Sequence, residues 1–209
     1  MGSIAGCAAL IFAFSACAGE EPSPEPRAVE TKGTQVATGL ARFLLQANEE
    51  PGFSPSGEPE TISTVEAFVK DVDALPAEAQ ALRENGFKSF VVVQLESDRG
   101  DAGVSNVHEF ATEDGARRHL AYLMSAVDEE FEGATIQRFD IPEVPTAAGF
   151  LAWKPSEYDV ANVNWVQGRC LMTLGNGGSG AHAGLPTSFI EPLSTGVKAI
   201  FERTGGQCP

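Results

Sequence analysis

Apolar residues recur along this chain in two rhythms, and the rhythms divide it into elements. Gly39 to Asn48 (GLARFLLQAN) puts Leu40, Phe43 and Leu44 on one face, the spacing of a short helix. Gly52 to Pro59, rich in Gly, Pro and Ser, reads as a loop. Thr64 to Asp71 turns Val65, Phe68 and Val69 inward as one or two helical turns. Pro76 suits a first helical position, and the helix it opens runs to Asn85 before Gly86. Phe87 to Glu96 (FKSFVVVQLE) is β-branched and aromatic, a strand; Asp98 to Asp101 makes a turn, and Val104 to Phe110 returns as its hairpin partner. Thr112 is a good N-cap, followed by Glu113 and Asp114, which suit the positive end of a helix. Ala116, Leu120, Leu123, Val127 and Phe131 then recur at helical spacing until Gly133.

Thr135 to Ile141 and Gly149 to Trp153 read as strands. Asn162 to Val166 and Arg169 to Leu174 flank Gln167-Gly168, a tight hairpin turn. Gly175 to Gly184 reads as a Gly-rich loop. Ser188-x-x-Glu191 has the form of a capping box, and Phe189, Leu193, Val197 and Ile200 line one face of a last helix that stops at Gly205-Gly206. Hairpins followed by helices predict an α+β fold: an antiparallel sheet with two long amphipathic helices packed on one face, preceded by short N-terminal helices.

The first residues follow neither rhythm. Met1 to Ala16 is apolar and small, shorter than the ~20 residues that span a bilayer, and fits an export signal without its usual basic start. Phe14-Ser15-Ala16-Cys17 resembles the bacterial lipobox, in which the Cys becomes the lipidated N-terminus after cleavage; Ile4-Ala5-Gly6-Cys7 resembles it too, but the most apolar stretch follows it. The resemblance implies lipid attachment at Cys17. The alternative is an ordinary cleaved signal and a secreted product. The Glu- and Pro-rich run after Cys17 (EEPSPEP) resists helix and cannot build a core, so it reads as an extended tether. The expected organisation is a signal over 1–16, anchor and tether over 17–38, and a single globular domain over 39–209.

Cysteine count follows from that organisation. Setting aside Cys7 and Cys17 leaves Cys170 and Cys208, and an even remainder in an exported domain predicts a disulfide. Charge narrows the partners. The formal charge is −15, with no Lys or Arg before Arg27. A field of that sign repels phosphates and anionic head groups, so no nucleic acid partner is expected and the membrane is reached through the lipid alone.

The stretches HEFATEDGARRHLAYLM, IPEVPTAAGF and VNWVQGRCLMTLG, with a terminal helix into TGGQC, resemble a group of actinobacterial secreted lipoproteins of unassigned function. More distantly the chain is similar to extracellular sensor domains of mycobacterial receptor kinases and to PsbP-like lipoproteins. The resemblance implies an anchor, a sheet, packing helices and a late disulfide, and transfers no catalytic residue.

Candidate chemistry is sparse. His108, His119 and His182 have no metal-binding spacing, and no CxxC pair accompanies the cysteines, so neither metal nor cofactor is expected. Gly178-Ser179-Gly180 with His182 lacks an oxyanion donor, and the same loop lacks the Lys-Ser/Thr of a phosphate cradle. Phe150, Trp153, Tyr158 and Trp165 suit a core, with Trp153 and Tyr158 the candidates for a ligand groove at the sheet edge. The expectation is a non-catalytic, lipid-anchored surface protein that binds an extracellular ligand or protein. The alternatives are a carrier of an apolar molecule between sheet and helices, and an envelope hydrolase with an unfamiliar site.

Overall fold

A computed structural model describes residues 39–72, 74–178 and 187–208. The export segment, Cys17, the tether, and the Ser179 and His182 positions lie outside the described residues.

The chain order is a 3-10 turn (Gly39–Phe43), β1 (Phe53–Ile62), α1 (Val65–Val72), α2 (Pro76–Glu84), β2 (Phe87–Ser97), β3 (Ala102–Phe110), α3 (Glu113–Glu130), β4 (Thr135–Phe139), β5 (Ala148–Lys154), β6 (Tyr158–Gln167), β7 (Cys170–Gly178) and α4 (Ile190–Thr204). The strands form one antiparallel sheet in the order β1-β2-β3-β7-β6-β5-β4. Two meanders, β1 to β3 and β4 to β7, meet where β3 pairs with β7, and α3 carries the chain from the centre of the sheet to its far edge.

Alternation of side chains gives the sheet two faces. Across four strands Val91, Val107, Met172 and Trp165 form one apolar row, covered by the 3-10 turn, residues Ile141 to Ala147, and α4. The adjacent row, Phe90, His108, Leu171 and Val166, faces α1, α2 and α3. The two long helices therefore lie on opposite faces, which corrects the one-face arrangement. Each helix has its own apolar stripe, and periodicity carries no information about the side of the sheet on which a stripe lands. Two-sided cover explains why β7 is buried from Cys170 to Gly177 and β6 from Asp159 to Gln167, without an exposed alternate position. Burial of Leu193, Val197 and Ile200 on α4 contributes roughly 1.5–3 kcal/mol per side chain, more than any cap.

Other boundaries move for local reasons. Beyond the turn at Gly52, residues 53–59 are not a loop but the start of edge strand β1. Pro55 pairs with Leu95, and the register breaks between Ser56 and Glu60, as an edge strand tolerates. The 39–48 helix shrinks to a 3-10 turn over Gly39–Phe43. Gly175 to Gly178 belong to β7, not to a loop: they pair with β3 and β6, and a Cβ on Gly103 opposite would meet Asn176 Oδ1 at 2.6 Å. Thr112 caps α3, its hydroxyl accepting from Gly115 N at 3.0 Å, whereas Phe189, the residue before α4, provides no side-chain cap.

Candidate functional site

At one end of the sheet, residues 44–53 cross from the 3-10 turn to β1 and are pinned on two sides. Leu45 N donates to Ser105 Oγ on β3 at 2.9 Å. Arg203 of α4 donates to Leu44 O at 2.9 Å and to Glu49 Oε2 at 3.0 Å, and also reaches Arg42 O. The pinning forces Glu50 inward against Gly196 of α4. Glu50 is 1% exposed; Asn176 Nδ2 of β7 donates to its Oε1 at 2.5 Å, and its Oε2 has no hydrogen-bond partner among the described residues. Burial pushes its carboxyl up to about 7, against the opposing effect of the Asn176 hydrogen bond.

Above Glu50 opens a cleft of about 360 Å³. Its lining includes Glu50, Pro51 and Phe53 from the crossing segment and Glu96 and Asp98 from the end of β2 and its turn, and among the described residues contains no Lys or Arg. A second cleft of about 440 Å³ lies beside Cys208, where Gln167 is 2% exposed and its Nε2 has no partner among the described residues. The Cys170–Cys208 disulfide, with 5.7 Å between Cα atoms, ties the C-terminal segment to β7.

A third polar feature is sealed. His108 on β3 and His119 on α3 sit among Phe68, Phe87, Phe90, Phe110 and Tyr122. Burial holds both rings well below the usual imidazole range, His119 at about 4. Beside His108 on the same face run Asn106, Thr173 and Asn164 in one cross-strand row. Thr173 donates to Asn164 Oδ1 at 2.8 Å, and Asn164 Nδ2 to Asn162 Oδ1 at 2.7 Å. This row separates the two apolar clusters beneath α3. Glu78 on α2 is 2% exposed, and burial, reinforced by Glu130, lifts its carboxyl to about 8. The arrangement holds neutral imidazoles; among the described residues neither histidine is hydrogen-bonded to a nucleophile or a carboxylate.

The predicted groove pair does not come together. Trp153 pairs with Asp159 and Tyr158 with Lys154, one register step apart, so the two rings occupy opposite faces. Tyr158 packs on Phe131 at 5.8 Å. Phe150 and Trp165 are fully buried. Among the described residues no three of His, Cys, Asp and Glu are grouped to hold a metal, and no helix is long and apolar enough to cross a membrane. Glu50 carries no mark in the sequence, since its neighbours come from positions over a hundred residues away.

No protein-family model matches the chain, and no curated protein matches it. Among solved structures the chain is similar in fold to the extracellular domain of PknH from Mycobacterium tuberculosis. The likeness has 12% identity and a TM-score of 0.50, and covers 78% of this chain and 95% of that one.

Proposed function

We propose that the chain is a non-catalytic, extracytoplasmic binding domain held at the membrane through Cys17. The observation that carries the binding role is the open cleft over Glu50. Exposed Glu96 and Asp98 line it together with buried Glu50, whose Oε2 has no hydrogen-bond partner among the described residues, an arrangement that costs stability. The location is supported by the Cys170–Cys208 bond, the export-like N-terminus and the fold shared with an extracellular domain. The carrier alternative needs an apolar cavity between sheet and helices, where Trp165, Phe150, Met172 and Leu193 instead pack fully buried. The hydrolase alternative needs His108 or His182 in a polar cleft with two carboxylates; His108 lies in an aromatic box, and His182 lies outside the described residues.

Two measurements test the proposal. Mass spectrometry of the mature N-terminus should find an acylated Cys17; an unmodified start near Glu20 overturns the anchor. A thermal-shift screen of the full chain against chemically diverse small molecules and peptides should find stabilising ligands whose amide shift changes map to Glu50, Glu96 and Asp98. Stabilisers that all map elsewhere, or turnover of any of them, overturn the cleft reading.

A further inference from the structure

We propose that the cleft over Glu50 takes an organic cation, an ammonium or guanidinium group carried on an aliphatic stem. This rests on the binding role above and names the ligand chemistry for that same cleft.

Three observations converge. Glu50 is almost wholly buried, yet only one of its oxygens is satisfied. An uncompensated buried carboxyl is unfavourable, and a cationic donor is the partner that relieves it best. Glu96 and Asp98 line the same cleft, with no basic side chain among the described lining residues to neutralise them. Arg203 of α4, which binds the crossing segment, is committed to Glu49, Leu44 O and Arg42 O. Pro51 and Phe53 add apolar wall against which methylenes can lie.

The donor set also sorts among cations. The three carboxylates line one cleft but are not grouped as metal ligands. A bare divalent ion needs convergent oxygens at short range. A primary amine or guanidinium instead spreads its donors over several directions. At about 360 Å³ the cleft falls in the lower range of small-molecule sites, enough for a diamine or one basic side chain. The excess of acidic over basic residues, at a net −15, draws cations toward the protein. The same chemistry could come from a free diamine or from a Lys or Arg side chain of a peptide.

Isothermal titration of the full chain at pH 8 tests the assignment, using cadaverine, Nα-acetylarginine amide and calcium chloride as separate probes. Saturable binding of cadaverine identifies a free amine as the source; preference for the arginine amide identifies a peptide. Either should weaken at least tenfold in E50Q and severalfold in E96Q and D98N, with E84Q, on an exposed face of α2, unchanged. If E50Q does not fold, the E96Q/D98N double variant carries the test and should weaken binding at least tenfold. Binding by calcium alone, binding by neither organic cation, or unchanged affinity in the folded variants overturns the proposal. If the organic cations fail while another class of ligand stabilises the cleft, the cation assignment falls and the binding role stands.

Discussion

The rings of His108 and His119 stand 5.7 Å apart, centroid to centroid, and none of their four nitrogens has a hydrogen-bond partner among the described residues. One ring comes from β3 and the other from α3, so the pair bridges the sheet and its central covering helix. Charging either ring there would place an unpaired cation among aromatic side chains.

Stability should therefore fall on mild acidification through this pair. His119 is held at about 4 by burial, and His108 is also depressed, by burial first and then by His119. Below the ordinary imidazole value of 6.5 the unfolded chain binds protons that the folded chain refuses. The stabilisation is complete above 6.5 and is lost as pH falls toward 4. The His119 contribution amounts to about 3 kcal/mol at most. Urea unfolding at pH 7.5 and pH 5 should show H119F losing less stability across that interval than wild type. An equal loss would mean the ring is not the source.

Glu78 works in the opposite sense. Its folded value, about 8, lies above the unfolded 4.5, so the folded state holds a proton that the unfolded state has released. Its stabilisation is complete below 4.5 and disappears as pH rises through 8. E78Q keeps the shape and removes the charge, and should raise stability at pH 8.5 by on the order of 1–3 kcal/mol while changing little at pH 4.5. Glu50, at about 7, should show the same sign over a window that closes one unit lower, measured as E50Q unfolding against pH.

The Cys170–Cys208 bond closes a loop with a sequence separation of 38. Loop-closure entropy for that length gives about 3–4 kcal/mol. Thermal unfolding of the reduced chain, or of C170A/C208A, should show a loss of that order and a freed C-terminal segment, with the second cleft beside Gln167 opening first. Free thiols in the protein isolated from its own envelope would count against an extracytoplasmic site of action.

What could be read from residue order depended on distance along the chain. The β2–β3 hairpin, the β6–β7 hairpin and α3 each carry their signal within about twenty residues: alternation, a Gly turn, a Thr112 cap and a helical stripe. β1 was hidden because its two prolines and Gly57 argue for a loop unless the strand is known to be an edge. The face taken by each helix was hidden because a stripe specifies burial, not which layer supplies it. The cleft was least visible of all. Glu50, Asn176 and Gly196 come from three separate segments, and a carboxylate becomes unusual only when the fold brings those segments together.

Gly196 is the joint between helix packing and the cleft. A Cβ built there would lie 2.8 Å from Leu174 Cδ2, 3.2 Å from Leu45 Cδ1 and 3.2 Å from Glu50 Cβ. In an open helix, Gly→Ala gains about 1 kcal/mol of helix propensity. Here overpacking costs about 1–3 kcal/mol and outweighs it, because all three neighbours are buried and belong to other elements. G196A should therefore be destabilised by up to about 2 kcal/mol in urea and should also displace Glu50, so cation affinity at the cleft falls with it. Gly115 supplies the contrast. Its Cβ would meet the backbone oxygen of Asn85, where α2 ends against α3, on the other face of the sheet. G115A should cost more stability than G196A yet leave cation affinity unchanged in the fraction that folds. A G196A protein as stable as wild type with full affinity would show that α4 can shift away from β7 without disturbing Glu50, and the proposed coupling of helix to cleft would fail.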